Sequence, residues 1–372
     1  MQILALNPYH GGSHQAFLDG WIAHSRHEFD VLTLPAYKWK WRMRHAPVTF
    51  ADALSAPDRT TQSWDALFCT DMLNLAEFRG MCNERVWRLP SAVYFHENQL
   101  TYPNRDSSER DLHFAFTNIT TCLAADAVWF NSSFHREAYS TAVTDWMRKM
   151  PDYPLVHAAE QILAKASVHS PGIETHTPRS TRRPGPLRIL WVSRWEYDKD
   201  PDTFFEALNV LQQQGVDFRI TVLGESYGKV PGCFAKAQER FSEQIDHWGY
   251  VASHAEYVTK LNEADVVVST AIHEFFGIAI VEAVAAGCFP LVPRQLAYPE
   301  VLGNDDDFFH DATAQGIARC LKTLGQRVVN SATCWSDGGG SAEIASRYAW
   351  PNVADRLDRA IECCRNDVMS RR

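Results

Sequence analysis

The chain alternates short apolar stretches with longer amphipathic ones along most of its length, and this alternation limits the possible fold more than any other feature. In the first half, five apolar stretches have the length and composition of strands: Ile3–Asn7, Phe29–Leu34, Ala66–Thr70, Ala92–His96 and Ala127–Asn131. Helical stretches follow several of them, for example Ser13–Arg26 and Ser133–Trp146. Short apolar strands separated by helices indicate a parallel sheet that is covered on both faces.

A polar segment at residues 172–186 interrupts the alternation. It contains three prolines and two glycines, so it cannot form a regular helix or a central strand. The alternation then resumes with a second set of strand candidates: Leu187–Ser193, Phe218–Leu223, Asp246–Tyr250, Val266–Thr270 and Phe289–Val292. We therefore predict an α/β protein with two Rossmann-like, doubly wound domains at residues 1–171 and 187–348. Residues 172–186 would link them, and a helix at 349–372 could pack back on the first domain.

Composition excludes several other classes of protein. The chain has 372 residues, of which 45% are hydrophobic and 22% charged, as in ordinary globular proteins. Its apolar runs are much shorter than the roughly 18–20 residues that a membrane span needs. Nine cysteines without a CxxC pair indicate free thiols and a cytoplasmic location. The net charge of −9 excludes a globally basic nucleic-acid coat but leaves room for a local basic patch.

Doubly wound folds bind ligands outside the carboxyl ends of their strands, so we expect a cleft between the two domains and functional residues in the segments that follow the strands. The first strand leads into Tyr9-His10-Gly11-Gly12-Ser13-His14. Adjacent glycines let the backbone approach a ligand, and the following helix N-terminus offers free amides to an anion. A plain tight turn explains the same residues equally well. The spacing is not GxGxxG, so it gives little support to a dinucleotide site.

A polar run follows the strand Ala92–His96. His96 is succeeded by Glu97, Asn98 and Gln99, directly after an apolar stretch. This is where parallel-sheet proteins keep their sites. The structural alternative is a capping cluster with His96 as a core histidine, and the complete run favours a functional role modestly.

Two cations follow the first strand of the second half. Arg194 and Lys199 are five residues apart and could bracket a diphosphate, because charge-assisted bonds contribute about 1.5–3 kcal/mol each. The alternative is that they only pair with the neighbouring acids Glu196, Asp198 and Asp200.

The most specific segment is His273–Ala283, after the strand Val266–Thr270. Glu274 lies in the loop, Gly277 lies near the start of a helix predicted at Phe276–Ala286, and Glu282 lies inside that helix. First-turn amides near Gly277 suit a phosphate. A carboxylate in an apolar helix needs a partner, which could be a ribose diol or a distant arginine.

With Arg194, Lys199, Glu274 and Glu282 in this order, the chain resembles the retaining glycosyltransferases of the two-Rossmann GT-B fold over its whole length. Three N-terminal blocks narrow the resemblance: Tyr9–His14, Leu34–Arg44 and Tyr94–Pro103. They are similar to the tRNA-queuosine alpha-mannosyltransferase family. The resemblance implies transfer of mannose from GDP-mannose to queuosine in tRNA-Asp, with retention, without a cofactor and without a metal.

The same resemblance implies roles for individual residues. The expected catalytic residues are His96, Arg194, Lys199 and Glu274. The expected donor-binding residues are Gly11, Gly12, Arg194, Lys199, Phe276, Gly277, Ile278 and Glu282. The expected acceptor-side residues are His14, Glu97, Asn98 and Gln99. Two rival functions remain: a GT-B enzyme with another nucleotide-sugar donor and a lipid, glycan or small-molecule acceptor, and a non-catalytic protein that binds a sugar nucleotide or RNA.

Cations and aromatics alternate in the segment Tyr37–His45. Six of its residues are candidates for binding tRNA: Lys38, Trp39, Lys40, Trp41, Arg42 and Arg44. Such residues follow a phosphate backbone and stack on bases. An amphipathic loop whose tryptophans pack on the first domain is an equally good interpretation. The acidic triplet Asp305–Asp307 is interpreted as an exposed loop rather than a metal site.

Overall fold

The computed structural model describes residues 1–59, 61–103, 111–176, 182–226, 230–330, 333–335 and 340–371. Within these ranges it contains twelve strands. They are β1 Gln2–His10, β2 Glu28–Pro35, β3 Ala66–Thr70, β4 Ser91–Phe95, β5 Ala127–Phe130, β6 Ala166–Val168, β7 Leu187–Val192, β8 Phe218–Leu223, β9 Ile245–Gly249, β10 Val266–Val268, β11 Phe289–Pro293 and β12 Phe309–His310.

Fifteen α-helices separate and follow these strands in the described ranges. They are α1 Gly12–His24, α2 Trp39–Leu54, α3 Leu75–Met81, α4 Glu84–Trp87, α5 Leu112–Ala124, α6 Ser133–Met147, α7 Ala158–Leu163, α8 Pro201–Gln213, α9 Cys233–Arg240, α10 His254–Glu263, α11 Ile278–Ala285, α12 Tyr298–Leu302, α13 Ala314–Asn330, α14 Gly340–Tyr348 and α15 Trp350–Ser370. Several begin at side-chain caps, for example Asn74 before α3 and Ser132 before α6. No described helix has the length and apolarity to cross a bilayer.

The strands form two six-stranded sheets, and every pairing between neighbouring strands is parallel. The first sheet has the order β2-β1-β3-β4-β5-β6 and the second β12-β11-β10-β7-β8-β9. Two doubly wound α/β sheets confirm the predicted fold class. All ten predicted strands are present, and the short edge strands β6 and β12 are additional.

The chain divides into two compact units. The first contains Met1–Gly172 and the C-terminal stretch from Trp350, and the second contains Ile173–Ala349. Helix α15 therefore belongs to the first unit. Its Trp350 indole lies against Gly20 and Gly172, where the β-carbon of any other residue would collide with the ring. At the start of the second unit, the Arg182 Nε lies 3.1 Å from the buried Asp265 carboxylate.

The first sheet separates two apolar clusters. On one face, Phe17 and Trp21 of α1 pack with Trp350 and Leu357 of α15. On the other face, helices α2, α3, α5, α6 and α7 contribute to a larger cluster around strands β1, β3, β4 and β5. These strands are almost continuously apolar because both of their faces are covered.

The interpretation of Tyr37–His45 as a loop is wrong, because α2 begins at Trp39. Six buried residues of α2, at spacings of three, four, seven, eight and eleven, give it an amphipathic face: Met43, Ala46, Pro47, Phe50, Ala51 and Leu54. The predicted start of the helix at Phe276 is also wrong. Gly277 has φ +83 and caps the helix, so α11 begins at Ile278.

Candidate active site

The second sheet brings two of the predicted segments together. Strands β7 and β10 are neighbours, and the chain order of the strands reverses between them. The segments that follow these strands carry Arg194–Lys199 and His273–Gly277. Such a switch point is where doubly wound folds bind ligands.

Lys199 connects the two segments. Its Nζ donates to the His273 carbonyl oxygen at 2.8 Å and lies 3.3 Å from Glu274 Oε2 and 3.2 Å from Asp198 Oδ2. The Thr270 hydroxyl donates to the Lys199 carbonyl at 2.7 Å, which attaches the end of β10 to the same turn. Burial opposes the charged form, but the Glu274 and Asp198 carboxylates hold the pKa of Lys199 above its ordinary value.

Arg194 has a different environment. Its side chain is 43% exposed, and Nη1 lies 3.4 Å from Glu196 Oε2. Asp200 is in neither ion pair, because its carboxylate accepts the Thr203 amide and caps α8. The cations therefore do pair with neighbouring acids, as the structural alternative expected. Their role in holding a diphosphate stays a prediction.

Glu274 is held in an ionised form. Its Oε1 accepts the Phe275 amide at 3.1 Å, and its Oε2 lies beside Lys199. Burial raises the pKa of Glu274, but the Lys199 ammonium outweighs burial and the net pKa lies below the ordinary value. The carboxylate can therefore accept hydrogen bonds from hydroxyl groups at neutral pH.

The N-terminus of α11 follows Glu274 closely. Gly277 caps α11 without a side-chain hydrogen bond, so the first amides, at Ile278 and Ala279, have no partner within the helix. A β-carbon at Gly277 would lie 2.8 Å from the Tyr298 ring. Its positive φ and this close approach both require glycine. The Phe276 side chain is buried against Tyr348. Any contact between Phe276 and a sugar-nucleotide donor would therefore come from its backbone.

Glu282 has one hydrogen-bond partner among the described residues. Its Oε2 accepts the Tyr257 hydroxyl at 2.7 Å. Burial raises the pKa of Glu282 to about 7, and the Tyr257 hydroxyl opposes this shift. Within the described ranges Glu282 forms no ion pair with an arginine or any other cation.

In the first unit, the glycine turn after β1 has clear structural causes. A β-carbon at Gly11 would collide with the Ala36 side chain, and Gly12 has φ +53. Both positions thus favour glycine for reasons of the turn itself. A donor-binding role for Gly11 and Gly12 stays a prediction.

His14 and His96 lie side by side, with ring centroids 4.0 Å apart. His14 Nδ1 and His96 Nε2 are buried and have no hydrogen-bond partner among the described residues. Burial, and then His10, lowers the pKa of His14 to about 3. Burial, with His14 and His135, holds the pKa of His96 well below its ordinary value. Both rings are therefore neutral at pH 7 and can exchange hydrogen bonds with an uncharged ligand.

The predicted acceptor-side residues in the loop after β4 have different environments. Asn98 is fully buried: its Oδ1 accepts the amides of Leu100 and Thr101, and its Nδ2 contacts Thr101 Oγ1 and His135 Nε2. These bonds use the whole amide, so Asn98 builds the loop and is not an acceptor contact.

Glu97 and Gln99 are partly exposed beside Asn98, and Glu97 Oε1 accepts Gln99 Nε2 at 3.2 Å. Their acceptor-side role stays a prediction.

The two tryptophans of helix α2 have different environments. Trp39 packs against the cluster of Met43, Met72 and Phe114, whereas Trp41 is 62% exposed. Its cations also differ. Arg42 donates to the Pro35 carbonyl and contacts His45, and Arg44 lies over the Phe114 ring. Lys38 and Lys40 are exposed and lie near the Tyr37 and Trp39 rings. The candidate RNA surface thus reduces to an outer face with Lys38, Lys40, Trp41 and Arg44.

Two polar residues of these sites had not been predicted. Asp71, which follows β3, is buried and accepts the His96 amide at 3.1 Å. Burial, and then Glu97, raises the pKa of Asp71 well above its ordinary value. A polar residue at the end of the strand Ala66–Thr70 was the available signal. Tyr257 has no comparable signal, because only the packing of α10 brings it to Glu282.

The acidic triplet Asp305–Asp307 is engaged with arginines. Asp306 pairs with Arg294, and Asp307 lies 2.7 Å from Arg327. In the described part of the chain, no group of three or more metal-binding side chains is suitably arranged.

Comparisons with known proteins agree with this architecture. The family described as "tRNA-queuosine alpha-mannosyltransferase N-terminal" matches residues 2–173, and "Glycosyl transferases group 1" matches residues 173–324. A tRNA-queuosine alpha-mannosyltransferase from Drosophila melanogaster is 35% identical over 316 residues, which cover 82% of each chain.

Two further matches are weaker. A GDP-mannose-dependent alpha-(1-6)-phosphatidylinositol dimannoside mannosyltransferase from Mycobacterium tuberculosis is 30% identical over 146 residues, or 38% of this chain and 37% of that one. The structure of a sucrose-phosphate synthase from Thermosynechococcus elongatus superposes with a TM-score of 0.69 at 12% identity, covering 96% of this chain and 98% of that one. This last likeness concerns the fold alone.

Proposed function

The chain belongs to the tRNA-queuosine alpha-mannosyltransferase family and is a glycosyltransferase, and from this premise we propose that it transfers mannose from GDP-mannose to queuosine in tRNA-Asp. The observation that carries the proposal is the 35% identity to the Drosophila enzyme over 82% of both chains. A tRNA acceptor would place the enzyme in the cytoplasm.

The reaction we propose retains the configuration of the sugar. A queuosine hydroxyl oxygen bonds to C1 of mannose while the bond between C1 and the phosphate oxygen breaks. The electron pair of the broken bond goes to the diphosphate, and the hydroxyl proton goes to a phosphate oxygen on the same face. Products are GDP and mannosyl-queuosine, and no covalent bond to the protein is needed.

The second unit would supply the electrostatic part of this reaction. Negative charge grows on the leaving diphosphate, and the Arg194 guanidinium, the Lys199 ammonium and the first amides of α11 are suited to stabilise it. Glu274, held ionised by Lys199, would accept hydrogen bonds from sugar hydroxyls. We propose that these groups make a metal ion unnecessary.

The first unit would supply two neutral imidazoles and the polar side chains near them. We propose that His96 contacts the reacting sugar and that His14, Glu97 and Gln99 bind the acceptor. Both ring nitrogens without partners support this role, because a neutral imidazole can accept or donate a hydrogen bond to a hydroxyl. The exposed face of α2, with Lys38, Lys40, Trp41 and Arg44, would contact tRNA away from the modified base.

A donor assay tests the enzymatic part. The protein should release GDP from GDP-mannose when tRNA that carries queuosine is present. It should release GDP from GDP-glucose, or UDP from UDP-glucose, much more slowly. The Lys199→Met variant provides the inactive control. Equal use of several nucleotide sugars would remove GDP-mannose as the specific donor, and turnover without any requirement for tRNA would remove the acceptor.

A lipid acceptor is the second candidate. The mycobacterial mannosyltransferase that acts on phosphatidylinositol dimannoside gives it limited support, since that similarity covers only 38% of the chain. Transfer of mannose to a phospholipid extract but not to tRNA would favour this candidate.

A further inference from the structure

Glu282 occupies an unusual position for a carboxylate. It lies in the interior of α11, between the fully buried Val281 and Ala283, and burial raises its pKa. A carboxylate in such surroundings is costly unless a donor satisfies it. The family resemblance implies that Glu282 binds the nucleotide-sugar donor, and we take its partner there to be the ribose diol. An ionised carboxylate in a fixed orientation is the best acceptor for those hydroxyls.

Tyr257 provides the hydrogen-bond donor that satisfies the Glu282 carboxylate. It lies on α10, whose start is fixed by the Ser253 cap, and its hydroxyl donates to Glu282 Oε2 at 2.7 Å. Burial, and then Glu282, raises the pKa of Tyr257 well above its ordinary value, so the hydroxyl stays a donor at any working pH. Among the described residues Oε1 of Glu282 has no hydrogen-bond partner.

We propose that Tyr257 is a positioning residue for nucleotide recognition: its hydroxyl fixes Oε2 of Glu282 and leaves Oε1 to accept a ribose hydroxyl of the donor. This inference rests on the proposed function, because it assumes that Glu282 meets the ribose. It adds a residue that lies 17 positions before Glu274 in the chain, on a different helix from Glu282.

The elements packed on α11 carry several titratable groups. They are His254, Glu256, Tyr257, Lys260 and Glu263 on α10, Cys288 before β11, and Glu343, Arg347 and Tyr348 on α14. Lys260 pairs with Glu263. Glu343 pairs with Arg347, Tyr348 donates to the Val301 carbonyl, and Cys288 donates to the Leu261 carbonyl. Tyr257 alone of these donates to the Glu282 carboxylate.

Removal of the hydroxyl therefore has a definite sign. A bond to the ionised form lowers the pKa of a carboxyl group, so Tyr257→Phe should move the pKa of Glu282 further above about 7. The ionised fraction at neutral pH then falls, and binding that needs the ionised form weakens. At higher pH the carboxylate ionises in both proteins, so most of the difference should disappear.

The experiment is calorimetric titration with GDP and 2′-deoxy-GDP between pH 6 and pH 8.5. We compare wild type, Tyr257→Phe, Glu282→Gln and the double variant. At pH 7, Tyr257→Phe should weaken GDP binding by roughly three- to tenfold, the scale of one ordinary hydrogen bond, because Tyr257 acts on the nucleotide only through Glu282. The loss should shrink towards pH 8.5, and the preference for GDP over 2′-deoxy-GDP should fall. The double variant should bind like Glu282→Gln alone.

Controls separate a positioning role from a structural one. Tyr139→Phe removes another buried hydroxyl, one that contacts Cys122 in the first unit, and should leave GDP binding and its pH profile unchanged. Thermal unfolding shows whether each variant is folded. If Tyr257→Phe only lowers the melting temperature and keeps the wild-type pH profile and nucleotide preference, Tyr257 is structural and the inference is wrong.

The variants also distinguish a failure of the proposed donor site from a failure of the proposed role of Tyr257. If Glu282→Gln binds GDP as well as wild type does, Glu282 does not meet the ribose, and the donor site of the proposed function fails. If Glu282→Gln binds weakly while Tyr257→Phe matches wild type at every pH, only the role of Tyr257 fails.

Discussion

Each of the two units carries a candidate site at the carboxyl ends of its parallel strands. The groups that characterise the two sites differ, because those of the second unit are charged and the two imidazoles of the first unit are neutral. In the second unit the groups are charged and already paired, as Lys199 is with Glu274 and Asp198. In the first unit His14 and His96 are neutral, and one nitrogen of each lacks a hydrogen-bond partner among the described residues. A charged site fits a diphosphate, and a neutral site fits sugar or nucleoside hydroxyls.

The difference shows how burial shapes each site. A buried ammonium persists only with carboxylates beside it, so the charged site needs several residues of opposite sign from two segments. A buried imidazole avoids the same cost by losing its proton. The charged site is therefore rigidly connected, whereas the neutral site can take up or give hydrogen bonds when a ligand arrives.

The largest effect should come from the charged site. Lys199→Met should cut turnover by about 10² or more, because one preorganised charge stabiliser is lost. It also leaves Glu274 and Asp198 without their cation, which should lower the free energy of unfolding by roughly 3–5 kcal/mol.

Arg194→Ala should cut turnover by about as much, roughly 10², with little effect on stability, because Arg194 is exposed. Steady-state kinetics and thermal unfolding measure both. Near-normal turnover in either variant would contradict the assigned role.

The neutral site should make the first unit sensitive to acid. The folded pKa of His14, about 3, lies below that of the unfolded chain, so unfolding takes up a proton once the pH falls below the ordinary histidine range. Below about pH 6.5 this costs roughly 1.4 kcal/mol of stability per pH unit for each such imidazole. Denaturant unfolding of wild type and His14→Gln between pH 5 and pH 7.5 checks it. Stability that falls equally steeply in the variant would show that His14 does not contribute.

Much of the architecture could be predicted from sequence, and the failures have physical causes. Short apolar stretches predicted ten of the twelve described strands. The edge strands β6 and β12 have three and two residues and no apolar run. Helix α2 was missed because its basic and aromatic start concealed the period that begins at Met43. The burial of Asn98 depends on His135, 37 residues away, and no local pattern reveals such a partner.

The tryptophans of α2 give a test with its own control. If Trp41 stacks on a base, Trp41→Leu should weaken tRNA binding about tenfold, within the usual range for stacking. The dependence on salt should hardly change. Trp39→Leu should instead lower thermal stability, because Trp39 packs on Phe114. Equal tRNA affinities for wild type and Trp41→Leu would end the stacking assignment.

Neutralising Lys38, Lys40, Arg42 and Arg44 tests the electrostatic part of the same face. Each lost phosphate contact should flatten the salt dependence of tRNA binding by about one unit of slope. Arg42 should contribute least, since its guanidinium is engaged by the Pro35 carbonyl and His45. GDP binding should be unchanged. Unaltered tRNA binding in the four-site variant would remove this face and shift the acceptor towards a smaller molecule.

The smallest expected effect concerns metal. If Arg194, Lys199 and the α11 amides neutralise the diphosphate, EDTA should leave turnover nearly intact. A complete loss that Mg²⁺ or Mn²⁺ restores would show that the charged site is incomplete without a cation. A bound metal ion would then have to be counted among the charged groups of the second unit's site.

Mass spectrometry of tRNA nucleosides tests the central claim most directly. Purified tRNA-Asp, with or without queuosine, is incubated with GDP-mannose and either wild type or Lys199→Met, then digested to nucleosides. The account predicts a hexose on queuosine only with wild-type protein and queuosine-containing tRNA. Unmodified queuosine, in a reaction where wild type consumes GDP-mannose, would contradict it.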